Sequence, residues 1–375
     1  MGLWLFKSKT SPLIIQKKTP LQNNQDDNIE GMNRFSQTQK LLIVIVSFVI
    51  ALLSIPFILY YSKKPLQTNN KTSTNNSLIK DTITYWVARN ISMVTDSVEK
   101  KQLEYGKELI AHTAKYFGPN GTISKISNGL NCQNCHLDAG TVVFGNNYGS
   151  VASLYPKFRA RSGTVESIYK RVNDCFERSL NGKSINTMSK EMQAIVSYIN
   201  FVGSKVMKGQ KAAGSGFKDL AYLDRDADPS KGKIVYKYKC ESCHQANGEG
   251  IYNADKTEFI YPALWGSKSF NDGAGLYRLI NMAKFVKYNM PQGTTYQYPQ
   301  LSDEEAWDVA AFVETQTRPH IKVTKDWPDK STKPVDFPFG PYADTFSEKQ
   351  HKYGPFKPIE LVKTKKSSRA NIKMK

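Results

Sequence analysis

Two pentapeptides of the pattern Cys-x-x-Cys-His occur in the sequence: Cys132-Gln-Asn-Cys135-His136 and Cys240-Glu-Ser-Cys243-His244. In this pattern two thiols can bond to the vinyl groups of one porphyrin, and the adjacent histidine can ligate its iron. The two motifs use four of the five cysteines and two of the five histidines in the chain. Zinc or a disulfide is the alternative, but zinc needs further Cys or His ligands at regular spacing. We therefore expect two covalently bound haem c groups.

A methionine follows the second motif at a suitable distance for an iron ligand. Met290 precedes Pro291 and lies 46 residues after His244, in a predicted loop that proline keeps extended. A buried core methionine is the alternative. The spacing favours His244 and Met290 as axial ligands of the second haem, and a thioether ligand raises the potential of haem iron.

The fifth cysteine, Cys175, follows His136 by 39 residues, about where a distal ligand of the first haem belongs. It lies in a basic stretch, and positive neighbours and iron both favour the thiolate. The sequence favours His136 and Cys175 as axial ligands of a low-potential, substrate-side haem. An open position or a methionine, Met188 or Met192, is the alternative, although both methionines are expected to be core residues.

The chain carries a formal net charge of +19, from 52 Lys and Arg against 33 Asp and Glu. Such a surplus attracts anions. No zinc finger, RNA-recognition signature or basic helix with interleaved aromatic residues accompanies the charge, so we expect no nucleic-acid partner. Small anionic substrates, anionic lipid or an acidic redox partner agree better with this composition.

Helical patterns surround both motifs and predict a mainly α fold. In the second unit Gly232, Tyr236 and Cys240 fall on one helical stripe, and Ser302 with Glu305 forms a capping box before a closing helix. The first unit repeats this loosely, with Gly106 before the motif and a closing helix over residues 189–201. Helices that cross at a small residue, with haem between them, resemble class I cytochrome c domains, so we expect two in tandem.

An uncharged segment near the N-terminus, Leu41 to Tyr61, is long enough to span a bilayer as a helix. A cleaved signal peptide is the alternative. Because c-type haem attachment occurs outside the bacterial inner membrane, we expect one membrane pass with the haem domains in the periplasm. The predicted organisation is a cytoplasmic tail (1–40), a transmembrane anchor (41–62), a flexible linker (63–80), a catalytic cytochrome c domain (81–210), an electron-transfer cytochrome c domain (211–320) and an irregular C-terminal strap (321–375).

Longer stretches around these residues resemble the dihaem thiosulfate dehydrogenases, a family that includes tetrathionate reductases. The likeness lies in CQNCHLDAG, NNYG, FRAR and RVNDCFERSLNGK, in PALWG, SFNDGAG and NMPQG, and in the late segment FPFGPYADTF. It covers roughly residues 95–360 and leaves out the predicted anchor. A weaker likeness exists to the haem subunit of the SOX sulfur-oxidising system.

The resemblance implies an enzyme that couples two thiosulfates into tetrathionate, or runs the reverse reaction, and passes electrons to a periplasmic redox partner. It implies that Cys175 ligates iron and engages substrate sulfur. It also implies that Arg161, Arg171 and Ser179 contact the substrate. In some members a lysine just before the methionine competes for the second iron. Asn289 stands there in this chain, so such a ligand exchange is not expected.

Charge opposes the implied reaction. Two dianions about 4 Å apart repel each other by roughly 16 kcal/mol at an effective dielectric constant near 20, and by about 4 kcal/mol in water. Guanidinium groups offset this repulsion and bind sulfonate oxygens bidentately. Arg161 and Arg171 suit that role, and Arg159 and Arg178 could also face the site. No general base is required, because thiosulfate is already anionic.

Two other functions agree with parts of the pattern. A dihaem electron carrier without its own substrate is the main alternative, but a carrier has no use for an anion pocket beside a thiolate-ligated iron. A dihaem peroxidase would need acid–base residues near an open iron. The remaining histidines, His112, His320 and His351, lie outside the stretch expected to form the pocket.

Overall fold

The computed structural model describes residue 46 and residues 84–373, with side chains placed as far as residue 365. The chain divides into two parts, Met1–Lys80 and Asp81–Lys375, and residues 84–373 belong to the larger one. The predicted tail (1–40), anchor (41–62) and linker (63–80) lie outside the described residues, apart from the helical Val46. Among the residues described, no helix has the length and apolar character needed to cross a membrane.

The larger part is mainly helical, as the sequence predicts. Its α-helices are α1 (Ser97–Ala111), α2 (Thr113–Phe117), α3 (Leu137–Gly140), α4 (Val151–Leu154), α5 (Ile168–Arg178), α6 (Lys190–Gly203), α7 (Pro229–Lys239), α8 (Glu241–His244), α9 (Leu279–Asn289), α10 (Asp303–Thr315), α11 (Glu348–Tyr353) and α12 (Lys357–Lys373). Short 3-10 helices lie at Ile91–Met93, Cys132–Asn134, Gly275–Tyr277 and Lys330–Thr332. Two antiparallel hairpins pair β1 (Lys157–Arg159) with β2 (Thr164–Glu166), and β3 (Ile251–Tyr252) with β4 (Phe259–Tyr261).

Helices α1 and α6 cross around the first motif. Gly106 of α1 lies against the backbone of Ala194 in α6, where a Cβ atom would stand 2.1 Å from the carbonyl oxygen. Only glycine therefore permits this close crossing. Tyr198 of α6 is buried behind the crossing and donates a hydrogen bond to the carbonyl of Ala139, beside the haem motif. The closing helix predicted for residues 189–201 is confirmed, with Ser189 as its N-cap.

Helices α7 and α10 repeat this arrangement around the second motif. A Cβ atom on Gly232 would stand 1.8 Å from the carbonyl oxygen of Asp308, so glycine is again required at the crossing. Tyr236 is buried one turn later, and its hydroxyl donates to the carbonyl of Gln245. The predicted capping box of Ser302 and Glu305 is present at the start of α10. Gly232 is thus the small residue that lets α10 approach α7 closely, as the sequence predicts.

The C-terminal extension packs on the preceding helices through buried aromatic side chains. Phe356 lies against Trp307 of α10, with ring centroids 5.7 Å apart. The prediction of an irregular strap is wrong for the part that forms α11 and α12. Ser347 caps α11 by accepting a hydrogen bond from the Gln350 amide, and Pro358 occupies the first turn of α12, where proline is tolerated. These local helix signals are masked in the sequence by the aromatic and proline content of the segment.

Candidate active site

Both motif histidines are held in the tautomer that binds iron. Nδ1 of His136 lies 2.6 Å from the carbonyl oxygen of Asn146, and Nδ1 of His244 lies 2.8 Å from that of Pro262. Because a carbonyl only accepts, each Nδ1 donates and each Nε2 keeps its lone pair. Burial lowers the pKa of His136 to about 4 and also lowers the pKa of His244. Both rings are therefore neutral at pH 7, as a metal ligand must be.

The motif cysteines are available for thioether bonds. No disulfide joins any of the five cysteines of the chain, all of which lie in the described part. Burial raises the pKa of Cys132, Cys135 and Cys240 to about 12, so these thiols are protonated at neutral pH. Within residues 84–373, no group of three or more His, Cys, Asp or Glu side chains is placed to hold a metal ion, so the zinc alternative has no ligand set there.

A cavity of about 820 Å³ brings residues of both motifs together. The second motif contributes Cys240, Cys243 and His244, and Met290 lines the cavity with them. Cys135 of the first motif reaches this cavity as well. Much of the remaining lining is apolar and includes Leu276, Phe285, Val309 and Val313. An apolar cavity with two thiols, a neutral imidazole and a thioether fits a covalently held haem.

Helix α9 places Met290 at the edge of that cavity. The helix ends at Asn289, and the amide of Met290 donates to the carbonyl of Val286. Pro291 follows and has no N–H to continue the helix. The buried Asn289 amide donates to the carbonyl of Phe285, 3.2 Å away. The side chain at the position before Met290 is thus engaged with backbone.

Helix α5 carries the other candidate ligand. Ser167 caps its start, and Arg171 and Cys175 are four residues apart and therefore share a face. Cys175 raises the pKa of Arg171 and is the largest influence on it. Burial is the main cause of the raised pKa of Cys132 and Cys135, and the nearby Cys175 raises it further. These effects put Cys175 and Arg171 within electrostatic range of the first motif.

Arg171 forms no ion pair and no side-chain hydrogen bond in the described part of the chain, although Asp174 and Glu166, like Cys175, act on its charge at longer range. No carboxylate there lies within ion-pair distance, and no carbonyl or hydroxyl accepts a hydrogen bond from its guanidinium. Burial is the main cause of the lowered pKa of His136, and the positive charge of Arg171 lowers it further. A half-buried guanidinium without an ion-pair partner among the described residues, beside Cys175 and the motif histidine, can bind an anion.

Arg161 and Arg178 differ from Arg171 because other segments of the protein engage them. Arg178 donates to both carboxylate oxygens of Asp326, at 2.9 Å each. Arg161 donates to the carbonyl of Gly273 at 2.9 Å, and its Nε lies 3.8 Å from the same aspartate. Its guanidinium also stacks over the ring of Trp327, 4.6 Å from the centroid. Burial, with Arg178 nearby, lowers the pKa of Arg161 to about 9.

Asp326, Trp327 and Gly273 were not identified from the sequence. Asp326 is 148 positions from Arg178, and no local motif connects the two. The extension and the second unit thus reach the arginines of the first unit. Two guanidinium groups against one carboxylate leave the junction of Arg161, Arg178 and Asp326 with a net positive charge.

The other candidate residues from the sequence have different surroundings. Ser179 follows α5 as its C-cap, one turn beyond Cys175. Arg159 lies 3.9 Å from Glu166 across the β1–β2 hairpin. Met192 is buried in the core, as expected, whereas Met188 is 79% exposed, so the expectation of a core position for Met188 is wrong. Neither methionine lines the cavity that holds Met290.

The three remaining histidines have protein partners. His112 lies 3.0 Å from Glu258, and His320 lies 2.5 Å from Asp272. His351 is buried and donates to the carbonyl of Val335. None of the three lines the cavity of the second motif.

Comparisons with known proteins identify two cytochrome c domains in the chain. The family model for the SoxA/TsdA cytochrome c domain matches residues 123–208, and that for cytochrome c matches residues 229–317. A solved structure of thiosulfate dehydrogenase (TsdBA) from Marichromatium purpuratum, in its as-isolated form, superposes with a TM-score of 0.58 at 27% identity. That match covers 63% of this chain and 50% of the other.

Curated relatives carry the same name. Thiosulfate dehydrogenase of Psychrobacter arcticus is 39% identical over 242 residues, which is 64% of this chain and 70% of that protein. Thiosulfate dehydrogenase of Thiomonas intermedia is 37% identical over 61% of this chain and 69% of the relative. That of Allochromatium vinosum is 38% identical over 52% and 72%. The chain therefore belongs to the thiosulfate dehydrogenase family of cytochrome c oxidoreductases.

Proposed function

We propose that this protein joins two thiosulfate ions into tetrathionate at its first haem, or runs the reverse reaction, and exchanges the electrons through its second haem. In the forward direction one S–S bond forms, no proton moves, and two electrons leave two thiosulfate dianions. The names of the relatives support the substrate. The unpaired Arg171 beside Cys175 is the observation that carries the proposal, because an electron carrier needs no such group.

The haem ligands are proposed as two sets. Cys132, Cys135 and His136 would hold the first haem, with Cys175 on its distal side. Cys240, Cys243 and His244 would hold the second, with Met290 as distal ligand. Haem c supplies one-electron acceptance and donation at each iron when it is bound. The remaining work of binding and orienting the substrate falls to side chains of the chain.

Arg171 contributes most to holding two dianions together. A guanidinium about 4 Å from a dianion gains roughly 8 kcal/mol of Coulomb energy at an effective dielectric constant near 20, against a repulsion between the dianions of roughly 16 kcal/mol. An arginine that contacts only one of the two dianions therefore offsets about half of the repulsion, and the net positive charge of Arg161, Arg178 and Asp326 supplies part of the rest. The hydroxyl of Ser179 can donate to a sulfonate oxygen from the end of α5. Cys175 is proposed to engage the sulfur that forms the new bond.

The cellular setting is also part of the proposal. The uncharged segment 41–62 supports a single-pass anchor in the bacterial inner membrane, with the haem domains in the periplasm. Electrons would pass from the second haem to a periplasmic redox protein. A dihaem electron carrier remains the alternative function.

A substitution at Cys175 tests the function. Cys175→Ala should leave both haems attached, because neither attachment motif is changed, and should abolish turnover in both directions. Thiosulfate with ferricyanide measures one direction, and tetrathionate with a reduced dye measures the other.

Met188→Ala serves as the matched control, since Met188 is the exposed alternative ligand and its loss should change neither rate nor spectrum. Full activity of Cys175→Ala would reject the catalytic role of the thiolate. A wild-type protein without either activity would leave the electron carrier as the function.

A further inference from the structure

We infer that the solvent-facing side of α7 is the docking surface for an acidic protein that exchanges electrons with the second haem. This surface, the α7 patch, consists of Lys231, Lys233, Ile234, Lys237, Tyr238 and Lys239. The inference rests on the proposed role of the second haem as the electron exit, and it names the surface and the charge of the partner.

The residues of the α7 patch face solvent. Gly232 and Tyr236 point into the crossing with α10, and the helical repeat places Lys233, Ile234 and Lys237 on the opposite side. Ile234 is 60% exposed and Tyr238 is 76% exposed. They are four residues apart and form a small apolar centre with lysines on its border. Protein interfaces commonly have such an apolar centre and a polar rim.

The lysines of the patch are not used inside the protein. Helix α7 contains no Asp or Glu, and among the residues described no carboxylate forms an ion pair with any of the four lysines. Lysines elsewhere in the protein, such as the partly buried Lys284 and the exposed Lys115, do have acidic partners, Asp219 and Glu108. The charge of the patch is therefore available to a partner of opposite sign.

The matching helix of the first unit shows that the cytochrome fold does not require this charge. Helix α1 occupies the place before the first motif that α7 occupies before the second, and both cross a closing helix at a glycine. Yet α1 mixes Lys100, Lys101 and Lys107 with Glu99, Glu104 and Glu108. The concentration of positive charge is thus specific to the helix that leads into the second motif.

The patch also adjoins the second haem site. Lys239 directly precedes Cys240, and both residues line the cavity that contains His244 and Met290. Ile260 is 59% exposed and lines the same cavity, which extends the apolar rim. A partner bound to the patch would lie next to the mouth of the haem cavity. One electron would pass from ferrous iron of the second haem, which becomes ferric, to the oxidised metal centre of the partner, which is reduced.

An acidic redox protein fits this position better than an anionic lipid surface. A lipid surface would draw on the lysines but would gain nothing from their position at the haem cavity. Complementary charge chiefly accelerates encounter, and the small interfaces of redox pairs suit brief contacts. We therefore assign the patch to a small acidic electron-transfer protein.

The test uses the full-length protein with both haems and a double charge reversal, Lys233→Glu with Lys237→Glu. Lys101→Glu with Lys107→Glu on α1 is the matched control, because it changes the net charge by the same amount. The probe is a purified acidic soluble cytochrome c, with a basic one for comparison. Binding to the oxidised acidic cytochrome is measured by calorimetry at several salt concentrations, and electron transfer from dithionite-reduced protein is followed by stopped flow.

The α7 variant should bind the acidic cytochrome at least about tenfold more weakly at low salt and should lose most of the salt dependence. Its reduction of a neutral quinone dye should equal that of the wild type. The control should stay within about twofold of the wild type for both acceptors. Equal loss in the two variants would overturn the inference, because net charge alone would then explain binding.

A second arm addresses lipid. Vesicles of phosphatidylcholine, with and without phosphatidylglycerol, are sedimented with each protein. An α7 variant that loses vesicle binding but keeps its affinity for the acidic cytochrome would overturn the inference in favour of a membrane surface. Since neither arm uses thiosulfate, a protein that binds the cytochrome through α7 yet fails to oxidise thiosulfate would refute only the proposed function.

Discussion

Replacement of Arg171 by alanine removes the one guanidinium near Cys175 that has no partner among the described residues. The direct Coulomb energy between a guanidinium and a dianion about 4 Å apart is roughly 8 kcal/mol at an effective dielectric constant near 20, which is an upper limit. Water that fills the vacated space recovers part of it. Loss of one member of a buried, hydrogen-bonded charge pair costs about 2–5 kcal/mol in measured cases. We therefore expect Arg171→Ala to lower kcat/KM for thiosulfate by about 150-fold, equivalent to about 3 kcal/mol.

The assay is steady-state oxidation of thiosulfate with saturating ferricyanide, with haem content checked for each variant. Arg171→Lys retains the charge but not the planar pair of donors, so its kcat/KM should lie between those of the wild type and Arg171→Ala. Part of the loss could act through Cys175, because the two residues interact electrostatically. Magnetic circular dichroism of the first haem reports thiolate ligation directly and separates this route from lost substrate binding.

Lys170→Ala is the control for Arg171→Ala. Lys170 lies on the same helix, is half exposed and pairs with Asp174, so its removal takes one positive charge from α5 and leaves the guanidinium of Arg171 in place. The control should keep kcat/KM within about twofold of the wild type. A kcat/KM of Arg171→Ala within twofold of the wild type would refute the assignment of Arg171 to substrate. Equal losses in both variants would point to damage to the helix.

Two further predictions concern the second haem and the junction at Asp326. Met290→Ala should change the spectrum of the second haem alone and lower its reduction potential, because a thioether ligand raises the potential of haem iron. A redox titration measures both haems. A change in the first haem instead would mean that our assignment has exchanged the two haems. Asp326→Asn should lower the free energy of unfolding by about 3 kcal/mol in urea denaturation, because it removes the buried carboxylate that the partly buried Arg178 and Arg161 share. Asp329→Asn, at an exposed position of the same segment, is the control, and equal stability of the two variants would contradict the importance of the pair.

The parts of the fold that depend on local sequence were predictable. Gly232 and Tyr236 share a helical stripe with Cys240, and the structure places that glycine at the crossing with α10. The capping box at Ser302 is a four-residue signal and is present. Helices α11 and α12 do not stand out in the sequence, although Ser347 and Pro358 are ordinary start signals, because the surrounding aromatic and proline residues dominate the pattern.

The candidate site, like the fold, was predictable from the sequence only in part. Cys175 and Arg171 are one helical turn apart, so their common face follows from the sequence once α5 is identified. The different surroundings of Arg161 and Arg178 do not follow. Their partners come from chain segments more than 100 residues away, at sequence separations of 112 for Gly273 and 148 for Asp326. Periodicity contains no information on contacts at such separations, so the sequence alone assigns Arg161 and Arg171 the same role and does not separate them.

The junction around Asp326 connects the anion site to both haem units. Arg161 donates to the carbonyl of Gly273, and the Asn271 side chain donates to the carbonyl of Glu177 in α5 at 2.8 Å. A shift of the second unit relative to α5 would therefore move Arg161 and Arg178 while Arg171, which has no such partner among the described residues, stayed with the first motif. The geometry of the three arginines consequently depends on the packing of the second unit and the extension. A first cytochrome unit by itself would keep Arg171 and Cys175, but it would lack the contacts that orient the other two guanidinium groups.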